Sequence, residues 1–449
     1  MANKVLGEKP FEITNRLVFS LAVPVTLAYL TTPLLGLVDT AVVGQFGDAA
    51  MIGGLAVGAI IIDLIFVAFN FLRVSTSGLT AQAFGREDEV DSQAILFRAV
   101  GIGLVFGIAA MLLGPLLVKL GLWMMQPGVS VAAATTTYVT VRVFGAPFTA
   151  INYAMLGWFL GQGRTGVALG LQVLLSVINI ILSIAFGLWL GWGIFGVAIA
   201  TVIGEIVASL AGALLCYRML DHSKRPSRNV VLDGGALKRL LGLNFDIILR
   251  NFALLFAFAF FTTQGARFGE VTLAANAILM HFFIMTAYFL DGLALAAEQL
   301  SGRAIGAKYR AGFWRAFRLT SVWNGGLAFV LALILYLGGS ALIDFLTVLE
   351  SVRNEAKTYM LWACLTPITG VVAYQLDGVF FGGTWTREIS KMMVVSLIIY
   401  VLIWWFTRES MGNHGLWLSL NCFLFIRGLL LLIRVGPVAN ATFAKMATK

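Results

Sequence analysis

Asp39 stands in the run PLLGLVDTAVVGQ, an acid among apolar residues, about six positions inside the end of the first apolar segment. At 1.5 Å per helical residue that is roughly 9 Å of depth. An ionisable group so placed is expensive in hydrocarbon and needs a partner, an aqueous cavity or a task. A carboxylate in reach of outside water could take up a proton near neutral pH. Pro24 and Pro33 lie in the same segment. Each removes a backbone hydrogen bond, so protonation of Asp39 could be coupled to a bend. The alternative is a structural acid held by neighbouring hydroxyls.

The other polar groups in apolar runs fall into sets. Gln172, Ser176, Asn179 and Ser183 are spaced four, three and four apart, and Thr201, Glu205 and Ser209 repeat the arrangement at spacings of four. Each set makes one helical stripe, suited to cementing helix packing or to lining a hydrophilic cavity that Asp39 enters. Asp246 and Arg250 in LNFDIILRN stand i,i+4 and read as a mutual ion pair. Asp291, with Glu298 beyond it, and Asp377 are further acids with no acidic counterpart elsewhere in the chain, whereas Asp63, His281, Arg73 and Arg427 read as single structural groups. No HExxH helix, GxSxG elbow or Walker loop is present, and GQGRTG at 161–166 reads as a tight turn. The three histidines match no metal spacing, and Cys216, Cys364 and Cys422 read as small hydrophobes. An enzyme, a cofactor and a bound metal are therefore not expected.

The elements that position these residues follow from composition. Of 449 residues, 59% are hydrophobic and 12% charged, against about 25% charged in soluble domains. At roughly 20 residues per crossing, the chain has room for about twelve transmembrane helices and no separate soluble domain. Apolar runs place the spans at about 16–45, 52–83, 94–121, 134–163, 165–190, 193–217, 237–267, 271–304, 314–340, 354–384, 388–407 and 414–436. With the N-terminus cytoplasmic, twenty-two Lys and Arg face inward and six outward (Lys119, Arg142, Arg267, Arg353, Lys357, Arg408). This is a strong positive-inside bias that puts both termini in the cytoplasm. The net charge of +9 then reflects topology, and nucleic acid is not a partner.

The most polar stretch, 218–236, separates two halves that resemble each other. FGDAAMIGGLA from Phe46 matches FGEVTLAANAI from Phe268. TAQAFGRED from Thr80 matches SGRAIGAKY from Ser301, and the segment around Pro147 matches that around Pro367. Three matches in one order at an offset of 220–222 residues indicate a duplication, and internal repeats in a membrane protein point to a transporter. The expected architecture is all-α: two pseudo-symmetric six-helix bundles, 1–217 and 237–449, joined by a cytoplasmic linker at 218–236 and facing each other across a cleft.

Through VDTAVVGQFG around Asp39, the Pro-to-GxFxGxGxT-like element at Pro147–Thr165, LNFDIILRN with GARFG and LAANAILM, and FLDGLALAAEQLSGRAIGA, the chain resembles the multidrug and toxic compound extrusion (MATE) exporters, DinF-like branch. The resemblance covers nearly the whole chain. It implies a monomer in a bacterial inner membrane that exports bulky, mostly cationic amphipathic compounds by alternating access, in exchange for H⁺ or Na⁺. It also implies that Asp39 is the coupling carboxylate, that Pro24 is the bending proline, and that Tyr138, Asn179 and Thr201 form the surrounding shell. Where some relatives carry a second acid, this chain has Ser183. That removes one of two carboxylates from a Na⁺ cage and favours H⁺. Two other readings remain. A flippase for lipid-linked saccharides would want a cation-rich cleft, and only Arg73, Arg250 and Arg427 were placed inside spans. An intramembrane enzyme would want its acids clustered, and here they are scattered.

Overall fold

The computed structural model describes residues 10–448. Lys4, Lys9 and Lys449, counted above in the charge bias, lie outside them. Among the described residues the regular structure is helical and no strand occurs. The helices are α1 (Asn15–Gly44), α2 (Ala49–Val67), α3 (Asn70–Gly85), α4 (Glu89–Leu112), α5 (Gly114–Met125), α6 (Val129–Phe144), α7 (Ala146–Gly161), α8 (Thr165–Leu182), α9 (Gly193–Met219), α10 (Arg228–Val231), α11 (Gly234–Ala266), α12 (Glu270–Gly306), α13 (Arg310–Leu346), α14 (Glu350–Gly382), α15 (Thr386–Met411) and α16 (Asn413–Ala447). Eleven helices or helix runs among the described residues are long and apolar enough to cross a membrane, and the bent pair α6–α7 makes twelve. Large apolar side chains such as Leu37, Val105, Leu112, Phe329, Leu337 and Phe345 stand exposed along these helices. Water would not tolerate so much of this surface, and lipid does.

The chain divides into two compact units. One is Leu27–Leu240; the other is the chain up to Thr26 together with everything from Leu241 onward. α1 contributes to both, and the division falls two residues after Pro24. In the second unit, Ile13, Val18, Leu21 and Ala22 pack with Leu293, Ala296, Leu300 and Ala316. Neither Pro24 nor Pro33 interrupts α1, which is helical from Asn15 to Gly44.

The duplication is visible in the backbone. Left-handed residues recur at matched positions: Gly47 and Gly269, Glu87 and Lys308, Gly163 and Thr384, Gly191 and Gly412. The turns after α7 and α14 close alike, with Arg164 N donating to Phe159 O and Trp385 N donating to Phe380 O, both at 2.9 Å. Gly163, in the 161–166 turn, has φ +74°, a conformation that glycine adopts without cost. Glu87, Lys308 and Thr384 hold similar φ values, near 55°, with side chains.

The halves differ in continuity. Spans of the first are broken at Ala68–Phe69 and at Leu113, and the α6–α7 pair bends by 51° beside Gly145. Their counterparts α12, α13 and α14 run unbroken for 37, 37 and 33 residues. Pro147 lies in the first turn of α7, where its missing N–H costs nothing, whereas Pro367 sits inside α14. After α8 the helix widens to a π-helical segment, Ser183–Trp189.

Candidate functional site

In the unit Leu27–Leu240, Asp39 is buried five residues before the end of α1, and Ser183 Oγ donates to its Oδ1 at 3.0 Å. Ser183 opens the π-helical segment, a local widening often found at functional sites. The two elements touch closely: a Cβ on Gly187 would lie 2.5 Å from Val42 Cγ1. A side chain at 187 would force the Val42 side chain to shift. One turn earlier, Asn179 Nδ2 donates to Thr201 Oγ1 at 2.7 Å, and Thr201 Oγ1 donates to Val197 O at 3.1 Å. Asn179 is wholly buried, and its Oδ1 has no partner among the described residues.

A second cluster adjoins the first. Arg142, on α6, pairs with Glu205 of α9 at 3.1 Å, with both side chains under 10% exposed. Thr149 Oγ1 donates to the other Glu205 oxygen, and Asn152 Nδ2 donates to the Glu205 carbonyl at 3.0 Å. The same guanidinium lies in hydrogen-bond reach of the Tyr138 hydroxyl and over the Phe66 ring at 5.4 Å. Gly145 leaves the space that Glu205 fills, since a Cβ there would lie 2.7 Å from Oε2. Asp39 and the exposed Asp63 both lie in the field of Arg142. Arg142, counted above among the outward cations, lies within α6 ahead of the bend at Gly145, where a buried cation requires a counter-charge. Its partner is 63 residues away, so no local spacing announced it.

In the other unit the expected Asp246–Arg250 pair is also corrected. Arg250 donates to Asp377 Oδ2 and to Asn251 Oδ1, the latter at 3.0 Å. Arg427 donates to the same Asp377 oxygen at 2.9 Å. Asp246 instead accepts from Thr386 Oγ1 at 3.0 Å. Asp377, on another helix, is already the acceptor for Arg427 and takes Arg250 as well, while Asp246 is occupied by Thr386. Asp291 is half-buried and lies in the field of Arg427 and Tyr374. Of the groups read as single, Arg427 thus has Asp377, Arg73 Nε donates to Asn70 Oδ1 at 3.1 Å, and His281 is exposed.

Comparison with known proteins meets this geometry at both repeats. The MatE family model matches residues 24–185 and 247–408, two equal stretches separated by nearly the offset of the internal duplication. The chain is 35% identical over 417 residues to DNA damage-inducible protein F of Escherichia coli K12, covering 93% of this chain and 91% of that protein. It is 26% identical to the probable multidrug resistance protein NorM of Caulobacter vibrioides, covering 92% and 89%. Among solved structures, a MOP superfamily transporter from Pyrococcus furiosus superimposes with a TM-score of 0.86 at 17% identity, covering 95% of this chain and 96% of that one. An outward-facing multidrug resistance MATE family transporter gives 0.85 at 18%, over 95% and 96%. The chain belongs to the MATE family. It is a multi-pass membrane transporter and not an enzyme.

Proposed function

We propose that this transporter exports organic, mostly cationic and amphipathic compounds in exchange for protons by alternating access, with Asp39 as the group that carries the proton. It does so as a monomer in a bacterial inner membrane with both termini cytoplasmic. The observation that carries the reading is the buried Asp39 carboxylate bonded to Ser183 at the start of the π-helical segment. When ionised, it attracts a cation by about 3–4 kcal/mol at an effective dielectric constant near 20 and 4–6 Å, before desolvation. Protonation removes that attraction and changes what Ser183 can donate to, so substrate and proton exclude each other. Tyr138, Asn179 and Thr201 hold the surrounding shell, and Pro24 marks where α1 passes from one unit to the other.

Proton rather than Na⁺ coupling is supported by the donor set. Ser183 offers one neutral oxygen where a Na⁺ cage would want charge, and Arg142 already places a fixed cation in the field of Asp39. A proton passing between Asp39 and water needs no such cage. The names of the relatives, a multidrug resistance protein among them, support an efflux role.

The test is uptake of a fluorescent organic cation into proteoliposomes under an imposed pH gradient, with and without Na⁺. The expected result is Na⁺-independent, gradient-driven transport that Asp39→Asn abolishes while the protein still folds. Asparagine keeps the shape but cannot titrate. Transport by Asp39→Asn at the parent rate would move the coupling role to Asp291 or Asp377. A strict Na⁺ requirement would make the chain a sodium-coupled exporter.

A further inference from the structure

The charge cluster of the unit containing Leu241 onward has more donors than acceptors. A guanidinium carries five N–H groups. Arg250 and Arg427 converge on one oxygen, Asp377 Oδ2, while Asp377 Oδ1 and the Nε of both arginines have no partner among the described residues. The two cations repel each other across this short span; at Arg427 the attraction of Asp377 outweighs that repulsion, and the larger cost is the burial of the guanidinium itself. Asp291 adds a second negative charge in the field of Arg427. The two arginines differ in access. The Arg427 side chain is 2% exposed, beside the Tyr374 ring at 5.7 Å; the Arg250 side chain is 14% exposed, beside the Phe381 ring at 5.8 Å. The Arg427 side chain is thus shut away, while the Arg250 side chain keeps a small accessible surface beside Phe381. Four helices supply the cluster: α11 (Arg250), α12 (Asp291), α14 (Tyr374, Asp377) and α16 (Arg427). A site assembled from four separate helices is held in place by the packing of the whole unit.

We propose that Arg250 is the anchor of a binding site for the carboxylate of an amphipathic substrate, with Phe381 as its apolar wall. The incoming carboxylate accepts from Arg250, in the planar, charge-assisted geometry that guanidinium groups favour. Arg427 keeps Asp377 neutralised, so releasing part of the Arg250–Asp377 contact leaves no bare buried acid. The site extends the proposed substrate range from cations to compounds that carry a carboxylate, alone or beside an ammonium group. It rests on the transport reading only in calling the ligand a substrate.

Equilibrium binding tests it, because proton coupling can fail without altering that readout. The purified full-length protein is titrated with 11-(dansylamino)undecanoic acid and with its methyl ester, following dansyl fluorescence. The acid is expected to bind about tenfold more tightly than the ester, the value of one charge-assisted hydrogen-bonded contact. Arg250→Gln should remove the preference by weakening the acid alone, and Arg250→Lys should retain part of it. If Arg250→Gln does not fold, the parent protein and Arg250→Lys still decide. Equal binding of acid and ester by the parent protein overturns the proposal, as does an undiminished preference in a folded Arg250→Gln protein.

Discussion

The most demanding residue is Glu205. One of its carboxylate oxygens takes the Arg142 guanidinium and the other the Thr149 hydroxyl, so both are committed. Arg142 is buried, and its Nε is already without a partner among the described residues. Removing Glu205 therefore strands a cation in a low-dielectric interior. Glu205→Ala is expected to cost about 3–5 kcal/mol, the usual penalty for breaking a buried pair from one side. The double variant Arg142→Met/Glu205→Leu should recover most of that loss, because it strands no charge. Thr149 has a second acceptor in Gly145 O at 3.2 Å and survives either change. Unfolding midpoints in a defined detergent, read for both single variants and the double, measure the coupling. Additive losses would mean that the two groups do not depend on each other. Whether the pair also sets the pace of transport is read separately, from exchange rates of the double variant.

Between elements, close contact is governed by glycines. A Cβ on Gly378 of α14 would lie 1.9 Å from Ala294 O of α12, and one on Gly382 would lie 2.1 Å from Glu298 O. Both obstacles are backbone, which cannot rotate away. Gly378→Ala should therefore spread α12 from α14 at a cost of at least about 1–3 kcal/mol. Gly325→Ala, in α13 with nothing within 4 Å of the added carbon, should be neutral or stabilise by up to about 1 kcal/mol through helix propensity. Thermal unfolding of the two variants side by side checks the contrast. The same contacts explain what the sequence made legible. The twelve spans could be read because hydropathy accumulates over some twenty residues, and the chain punctuates their ends with glycine and charge. The breaks at Ala68–Phe69, Leu113 and Gly145 could not. Apolar residues run on through all three, so a hydropathy window does not mark them. The π-helical widening at Ser183 was hidden for the same reason: a hydropathy window sees SIAFGLW as ordinary helix. Asp39 and Ser183 could be picked out singly, one as an acid in an apolar run and the other as part of a stripe. The Arg142–Glu205 and Arg250–Asp377 pairs could not, since their members lie 63 and 127 residues apart. Local spacing suggested the nearer Asp246 instead.

At the scale of the whole molecule, the sidedness of the chain follows from contacts within each unit. In one unit the linker is tied to the start of α4. Arg98 Nε donates to Val231 O at 3.0 Å and Gln93 Nε2 to Asp221 O at 3.0 Å, while the hydroxyl and amide of Ser223 hold the Asp221 carboxyl below its usual range. The α3–α4 turn and the linker therefore share a side. In the other unit, Lys308 Nζ donates to Met446 O at 3.1 Å, Arg310 to Asn440 Oδ1 at 2.8 Å, and Arg303 lies over the Phe11 ring at 4.0 Å. The start of the described chain, the α12–α13 turn and the end of α16 thus lie together. The α3–α4 and α12–α13 turns are repeat equivalents, carrying the matched left-handed residues Glu87 and Lys308. These ends are also where Lys and Arg gather, and positive charge is retained on the cytoplasmic side. In a background with Cys216, Cys364 and Cys422 replaced by alanine, Ser227→Cys should then resist a membrane-impermeant maleimide on intact cells and react in inverted vesicles. Val348→Cys, 87% exposed in the turn between α13 and α14, should do the reverse, since an odd number of spans separates it from the start of the chain, which is proposed to be cytoplasmic. Labelling of residue 227 from outside would invert the topology. It would also turn Asp39, five residues from the far end of α1, toward the cytoplasm, and the proton would then have to enter from the side that substrate leaves in the proposed cycle.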